Sequence, residues 1–347
     1  MMSNFSYSDD EEYEIHENQN QEETCTSPVR GSLWWLIGGV FLFLVWLLVV
    51  CFRPMEVSVS EPEYIKPDRP PVVLQPQEIT LPEKPKTDWI FGDDTAELDM
   101  LFPSEFVLLV NMDSREVLAC KNPEERMNPA SMTKILTLLV AVENIRNISE
   151  TVTITSDIIE YCKKYGCSVA GYRAGEKIPV DELFYGCILS SGADASLALA
   201  RAAAGSHTAF VELLNGKLEE LGLSESAHFT NCVGLYNSEH YCTVQDMARI
   251  LEAALNNEKC RKVLSAQVYR NKSRELSNWF LHRTQEVDTP GMEVRYGKTG
   301  YVRQAGYCAA SGAVAEDGTT YLCITGNSTS IWQATYDHTT LYQQYCG

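Results

Sequence analysis

Beyond residue 104 the apolar positions follow two periods, one of two residues and one of three to four. In "SEFVLLVNMDSREVLACKN", Ser104 to Asn122, the pattern predicts two strands joined by a turn at Asp113 and Ser114. "NPASMTKILTLLVAVENI", Asn128 to Ile145, follows directly, and its Ile135, Leu136, Leu138, Leu139, Val140 and Val142 surround the axis, so this helix should run through a core. Asn128 is its expected N-cap and Pro129 its first helical residue, where a missing N–H costs nothing. "TVTITS" reads as a short strand, and "VDELFYGCILSSGADASLALARAAAG" as two helices broken at Gly192. "HTAFVELLNGKLEELGL" and "TVQDMARILEAALNN" are amphipathic helices, the second capped by Thr243. "EVRYGKTG" and "AGYCAASGAVAEDGTTYLCITGN" are strands with a hairpin turn at Glu316–Asp317–Gly318, and "IWQATYDHTTLYQQY" is a closing helix. Strands at both ends with helices between them predict an α+β class, an antiparallel sheet flanked by helices, without internal repeats.

The first hundred residues are of another kind. Residues 1 to 29 hold Asp9, Asp10, Glu11, Glu12, Glu14, Glu17, Glu22 and Glu23 and no lysine or arginine, so residues 1–32 are expected to be a disordered acidic tail. "LWWLIGGVFLFLVWLLVVCF", Leu33 to Phe52, is a run of 20 uncharged residues. At ~1.5 Å per residue it crosses the ~30 Å hydrocarbon layer. It lacks the basic start, short apolar run and small-residue cleavage site of a signal peptide, and is expected to be an uncleaved transmembrane helix. Residues 53–97 carry eight of the 14 prolines and should be an extended spacer. The remaining 250 residues, 98–347, suffice for a sizeable core. The net charge of −19 argues against nucleic acid as a partner. The 12 cysteines show no zinc spacing: Cys162 and Cys167 are close, but no histidine follows at ligand distance, and Cys187 and Cys323 sit in apolar runs that suit reduced thiols.

Candidate chemistry begins with Ser131 and Lys134, a spacing that puts both on one face of the buried helix. A lysine there loses hydration, which favours its neutral form. A neutral amine beside a hydroxyl is a general base beside a nucleophile. An isolated S-x-x-K arises by chance about once in a chain this long, and a helix-start serine with a snorkelling lysine is the better explanation of one. Two further triplets change the balance: Ser191-Gly-Ala193 at the helix break, and Lys298-Thr-Gly300 in a strand ahead of "YVRQAGYC".

In this order and context the three motifs resemble those of the penicillin-recognising active-site serine enzymes. "NPASMTKILT", "LFYGCILSSGADASLALA", "FTNCVGLYNSEHYCTVQDMARI" and "GKTGYVRQAGYCAASG" are most similar to the D-alanyl-D-alanine carboxypeptidases among the low-molecular-mass penicillin-binding proteins, from about Ser104 to the end. The resemblance implies a β-lactamase/transpeptidase-like fold with an all-helical subdomain beside the sheet. It implies Ser131 as acyl-ester nucleophile, Lys134 as general base and Ser191 as proton relay to the leaving D-alanine. Ser131 at a helix start has free N–H groups around it, and its own N–H and that of Tyr301 would hold the oxyanion. Lys298, Thr299 and Gly300 would bind the substrate carboxylate and backbone, with Arg283, fifteen residues before Lys298, as a further carboxylate ligand. Metal and cofactor are not called for. The expected partners are peptidoglycan stem peptides ending in D-Ala-D-Ala, β-lactams as covalent inhibitors, and the membrane. His228 and His240 flank "FTNCVGL" but are expected to be structural, since a lysine fills the base role.

The chain departs from the family pattern at Ala193, where the second motif normally ends in asparagine. The methyl cannot supply that amide's hydrogen bonds, at roughly 0.5–1.5 kcal/mol each, so weakened activity or altered preference is expected, with Asp194 or a water as a possible substitute. Many relatives carry an additional all-β domain and a C-terminal anchor, whereas this chain is expected to anchor at its N-terminus. The domain must reach wall peptide, which places the tail in the cytoplasm and residues 98–347 outside. The flanking cations, Arg30 on one side and Arg53, Lys66 and Arg69 on the other, lean the opposite way. Two other functions stay open. A class A β-lactamase would need an E-x-x-x-N glutamate, and Glu212 and Asn215 have the wrong spacing. A catalytically weakened wall-binding or sensory protein is favoured by Ala193.

Overall fold

The fold is that of a computed structural model, which describes residues 89–346. The expected tail, the span 33–52 and most of the spacer lie outside them. Among the described residues no helix is long and apolar enough to cross a membrane.

Ten β-strands and nine α-helices make up the described region. The strands are β1 (Ile90–Glu97), β2 (Phe106–Asn111), β3 (Glu116–Lys121), β4 (Thr151–Thr153), β5 (Lys177–Pro179), β6 (Val268–Arg270), β7 (Glu275–Ser277), β8 (Met292–Val302), β9 (Gly306–Ala315) and β10 (Thr320–Ser328). Six form one sheet in the order β1-β3-β2-β10-β9-β8. Both hairpins expected from the sequence are present: β2 pairs with β3, and β9 with β10 across the turn at Gly318. The sheet is mixed and not purely antiparallel, because β1 runs parallel to β3 at one edge. That strand also corrects the expected boundary at residue 98. Its "IFGDDTAE" shows no alternation and is mostly exposed, so no core pattern marks it. Just before it, Trp89 is buried and its Nε1 donates to the Gln245 carbonyl at 3.2 Å. A chain cut at residue 98 should therefore unfold at a lower temperature than one cut ahead of Trp89, by a margin that thermal unfolding resolves. Losing a large buried side chain costs about 3–5 kcal/mol.

The helices are α1 (Thr133–Asn144), α2 (Ser156–Lys164), α3 (Val180–Ile188), α4 (Ala193–Ala204), α5 (His207–Glu220), α6 (Val244–Asn256), α7 (Glu258–Leu264), α8 (Trp279–Thr284) and α9 (Ile331–Tyr345). They cover both sheet faces, which is why β2 is buried along its length and does not alternate with exposed residues. Phe106, Leu108 and Val110 face the larger core, shared with α1, α4 and α6. Val107 and Leu109 face the smaller one, with Phe280, Ala334, Leu341 and Tyr342 of α8 and α9. Thr243 caps α6 as expected, in a capping box closed by Asp246. The helical side is not wholly helical, since it carries the two-stranded ladders β4–β5 and β6–β7. The break between α3 and α4 falls where expected and includes Gly192, whose ψ of 116° is extended, with Ser191 beside it in the left-handed region at φ of 52°.

Candidate active site

Ser131 does not lie inside the long helix. It occupies a 3-10 turn, Ala130–Met132, that leads into α1. Ala130 has φ of 46° and is fully buried, an unusual backbone for a residue with a Cβ. Three polar side chains hold the turn. Asn128 Oδ1 accepts from the Ala130 N–H at 3.0 Å, while its Nδ2 donates to the His240 carbonyl at 2.7 Å. Thr133 Oγ1 donates to the Ala130 carbonyl at 2.7 Å and contacts His240 Nε2 at 2.8 Å. His240 Nδ1 accepts from the Thr230 N–H at 3.0 Å, so Nε2 carries the ring proton and donates to Thr133. Burial pushes the His240 pKa down to about 3, with the nearby His228 acting in the same direction. His240 is therefore a neutral strut. His228 is exposed and bonds the Glu239 carbonyl through Nδ1.

Lys134, one turn on, is 2% exposed and its Nζ lies 2.9 Å from Ser131 Oγ. A second contact, 2.5 Å to the Val233 carbonyl, fixes the amine. Burial drives its pKa down, as the helix pattern predicts. Val233 is held in turn by Asn231, whose buried Oδ1 accepts from the N–H groups of Val233, Gly234 and Leu235. Sequence reasoning missed Asn231 as the residue that folds this turn; the only signal is an Asn ahead of a glycine.

Ser191 and Lys298, 107 residues apart, meet at 2.8 Å between Oγ and Nζ. Lys298 also donates to the Thr299 carbonyl at 2.6 Å and is buried, and its pKa is lowered well below the lysine range, by burial first and then by the charge of Lys134. Its Nζ thus bonds Ser191 directly, a pairing the sequence did not suggest. β8 is the edge strand of the sheet and lies against the Ser131 turn. Gly300 is required there: a Cβ would sit 2.7 Å from the Ser131 nitrogen. A cavity of about 440 Å³ brings together Ser131, Lys134, Ser191, Thr299, Gly300 and Tyr301. Tyr301 is half exposed and its ring lies tilted against that of Tyr307, with centroids 4.5 Å apart. Arg283, on α8, lines an adjoining cavity of about 620 Å³ that shares Ser191 and Thr299 with the first. Every expected site residue thus borders one of two connected cavities.

Ala193 lines the first cavity, and its N–H donates to the Ser168 carbonyl at 2.8 Å. Asp194 does not replace the missing amide. It is fully buried and its carboxylate is taken up by the N–H groups of Ala170, Gly171 and Tyr172 at 2.8–3.1 Å.

The S11 peptidase family model, D-alanyl-D-alanine carboxypeptidase, matches residues 95–329. The chain belongs to that family. Its relatives include DacF of Bacillus subtilis, 32% identical over 224 residues, and DacA of Escherichia coli, 36% identical over 160. The matches cover 64% and 44% of this chain but only 56% and 40% of those proteins. Among solved structures, the Streptomyces K15 DD-transpeptidase superposes with a TM-score of 0.63 at 26% identity, over 71% of this chain and 98% of that one. Penicillin-binding protein 5 of Haemophilus influenzae shares the fold at 24% identity with a TM-score of 0.63 over 71% of each chain.

Ala193 is itself buried but lines the first cavity, and Asp194 is turned away, so the amide of Ala193→Asn is expected to enter that cavity. Restoring one or two hydrogen bonds should raise the acylation rate about five- to thirtyfold. Acylation kinetics alongside thermal unfolding check this; a slower or less stable variant would mean a rebuilt site.

Proposed function

We propose that this protein is a membrane-anchored serine D,D-carboxypeptidase that removes the terminal D-alanine of peptidoglycan stem peptides through an acyl-enzyme. The observation that carries the reading is the 2.9 Å contact between Ser131 Oγ and the buried Lys134 amine. Neutral Lys134 takes the Ser131 proton as Oγ attacks the carbonyl of the penultimate D-alanine. The oxyanion sits against the N–H groups of Ser131 and Tyr301, one such donor contributing about 3 kcal/mol in comparable sites. Collapse breaks the peptide bond: Ser191, held by Lys298, gives its proton to the leaving amine and takes up the one Lys134 removed from Ser131, which leaves Lys134 neutral again. Water, deprotonated by Lys134, then hydrolyses the ester. Lys298, Thr299 and Arg283 draw the terminal carboxylate into the adjoining cavity. β-Lactams, which carry an acyl bond and a carboxylate at similar places, acylate Ser131.

Leu33 to Phe52 anchors the chain, residues 53–97 act largely as spacer up to β1, and the catalytic part lies outside the cell membrane with the acidic tail in the cytoplasm. Benzylpenicillin and a peptide ending in D-Ala-D-Ala test the chemistry together. A stable adduct on the Ser131 peptide with release of D-alanine supports it. Rapid penicillin turnover would make the protein a β-lactamase. No adduct and no release would leave the weakened wall-binding reading that Ala193 favours.

A further inference from the structure

The chain leaving α2 makes a tight, closed turn. The Cys167 N–H donates to the Cys162 carbonyl at 2.9 Å and the Gly166 N–H to the Lys163 carbonyl at 3.3 Å, with Gly166 in the left-handed region at φ of 59°. These bonds are those of a Schellman motif, which sets the side chain after its glycine against one in the last helical turn. Apolar side chains usually make that contact. Here both positions are cysteine, so the turn sets two thiol side chains against each other. The two differ in exposure. Cys162 is 4% exposed, whereas Cys167 is partly open and lines the same cavity as Ser131 and Lys134.

We propose that Cys162 and Cys167 are a thiol–disulfide exchange centre in the wall of the catalytic cleft, with a small-molecule disulfide as substrate. Cys167 is the attacking sulfur and Cys162 the resolving one. The Cys167 thiolate attacks one sulfur of the external disulfide, forming a mixed disulfide and releasing one thiolate. Cys162 then loses its proton and attacks the Cys167 sulfur, which expels the second thiolate. The two cysteines lose two electrons and two protons, and the external disulfide leaves as two thiols. The backbone turn already brings the two residues together on one side of the helix end, as an intrachain disulfide requires.

Electrostatics support the division of labour. The neighbouring Cys162 thiol, as a hydrogen-bond donor, outweighs burial and pulls the Cys167 pKa down to about 7. Cys162 is raised, because it holds the donated proton and is buried. Cys308 borders the same cavity, but burial holds its thiol up at about 11, and Cys187 and Cys232 are fully buried and likewise raised. Selectivity for Cys167 follows.

The consequence for catalysis rests on the proposed acyl-enzyme chemistry. A substituent on Cys167 stands in the cleft and excludes substrate, and resolution by Cys162 clears it. The test uses the reduced full-length chain in detergent, oxidised glutathione as probe, and peptide mass mapping with fluorescent-penicillin labelling. The wild type should lose two hydrogens in a Cys162–Cys167 linkage and keep its labelling within about twofold. Cys162→Ser should hold glutathione on Cys167 and lose labelling about tenfold or more, regained with reductant. Wild-type protein that forms no such linkage, or that is glutathionylated elsewhere in preference, overturns the proposal whether or not the serine variant folds. Undiminished labelling of a Cys162→Ser chain carrying glutathione on Cys167 overturns the blocking role. A chain that takes no penicillin even before oxidation defeats the acyl-enzyme reading instead, and the mass map still decides the dithiol.

Discussion

Ser131→Ala is expected to abolish both penicillin adduct formation and D-alanine release, a loss of about 10⁴-fold or more, with the unfolding temperature essentially unchanged. Without Oγ no ester can form, and the rest of the site contributes only binding and oxyanion stabilisation. The side chain carries little structure: the contacts of the turn run through Asn128, Thr133 and the Ala130 backbone, all of which survive the change. The partner base has its own signature. Burial lowers the Lys134 pKa, so the neutral amine becomes the major form at a lower pH than in an ordinary lysine. Acylation should therefore rise with pH through that lowered pKa and level off before the ordinary lysine range near about 10.4. Stopped-flow acylation across pH checks the sign: a rate still climbing in the ordinary lysine range, or falling as Lys134 loses its proton, would remove Lys134 from the base role.

What could be read in the sequence divides along physical lines. Ser131 and Lys134 were visible because their contact is local, three residues along one turn, and because the helix around them is apolar on every side. The hairpins β2–β3 and β9–β10 were visible because a short turn fixes their pairing. The strand β1 was not, since its partner is parallel and remote and its face is largely exposed. Short elements such as α7, β6 and β7 carry too few residues to show a period. The Ser191–Lys298 bond joins segments that only the tertiary fold makes neighbours, so family likeness pointed to both residues but not to their pairing. The struts were equally hidden: nothing local says that His240 bonds Thr133, or that Asn231 gathers three backbone N–H groups.

Those struts bear on a second large effect, at a residue outside the catalytic motifs. Gly234→Ala should destabilise the protein by about 3 kcal/mol or more, because strained backbone and overpacking each cost about 1–3 kcal/mol. Gly234 has φ of 80°, in the left-handed region that a Cβ disfavours. More decisively, an added Cβ would lie 1.9 Å from the Ala130 carbonyl oxygen and 2.8 Å from the Ser131 nitrogen, both main-chain atoms with little freedom to give. Ala130 cannot retreat cheaply, since Thr133 and Asn128 hold its carbonyl and N–H from other sides and it is fully buried. At about 2–4 °C per kcal/mol for a domain of this size, the unfolding midpoint should fall by about 6–12 °C. Because the displaced atoms carry the Ser131 N–H, acylation by penicillin should slow even in the fraction that stays folded. The contrast is Gly216→Ala in the middle of α5, where a Cβ meets nothing within 4 Å and alanine favours the helix. That variant should be neutral or slightly stabilised. Equal stability of the two alanine variants, or a destabilised Gly234→Ala enzyme with an unchanged acylation rate, would mean that the 231–235 turn does not set the position of Ser131.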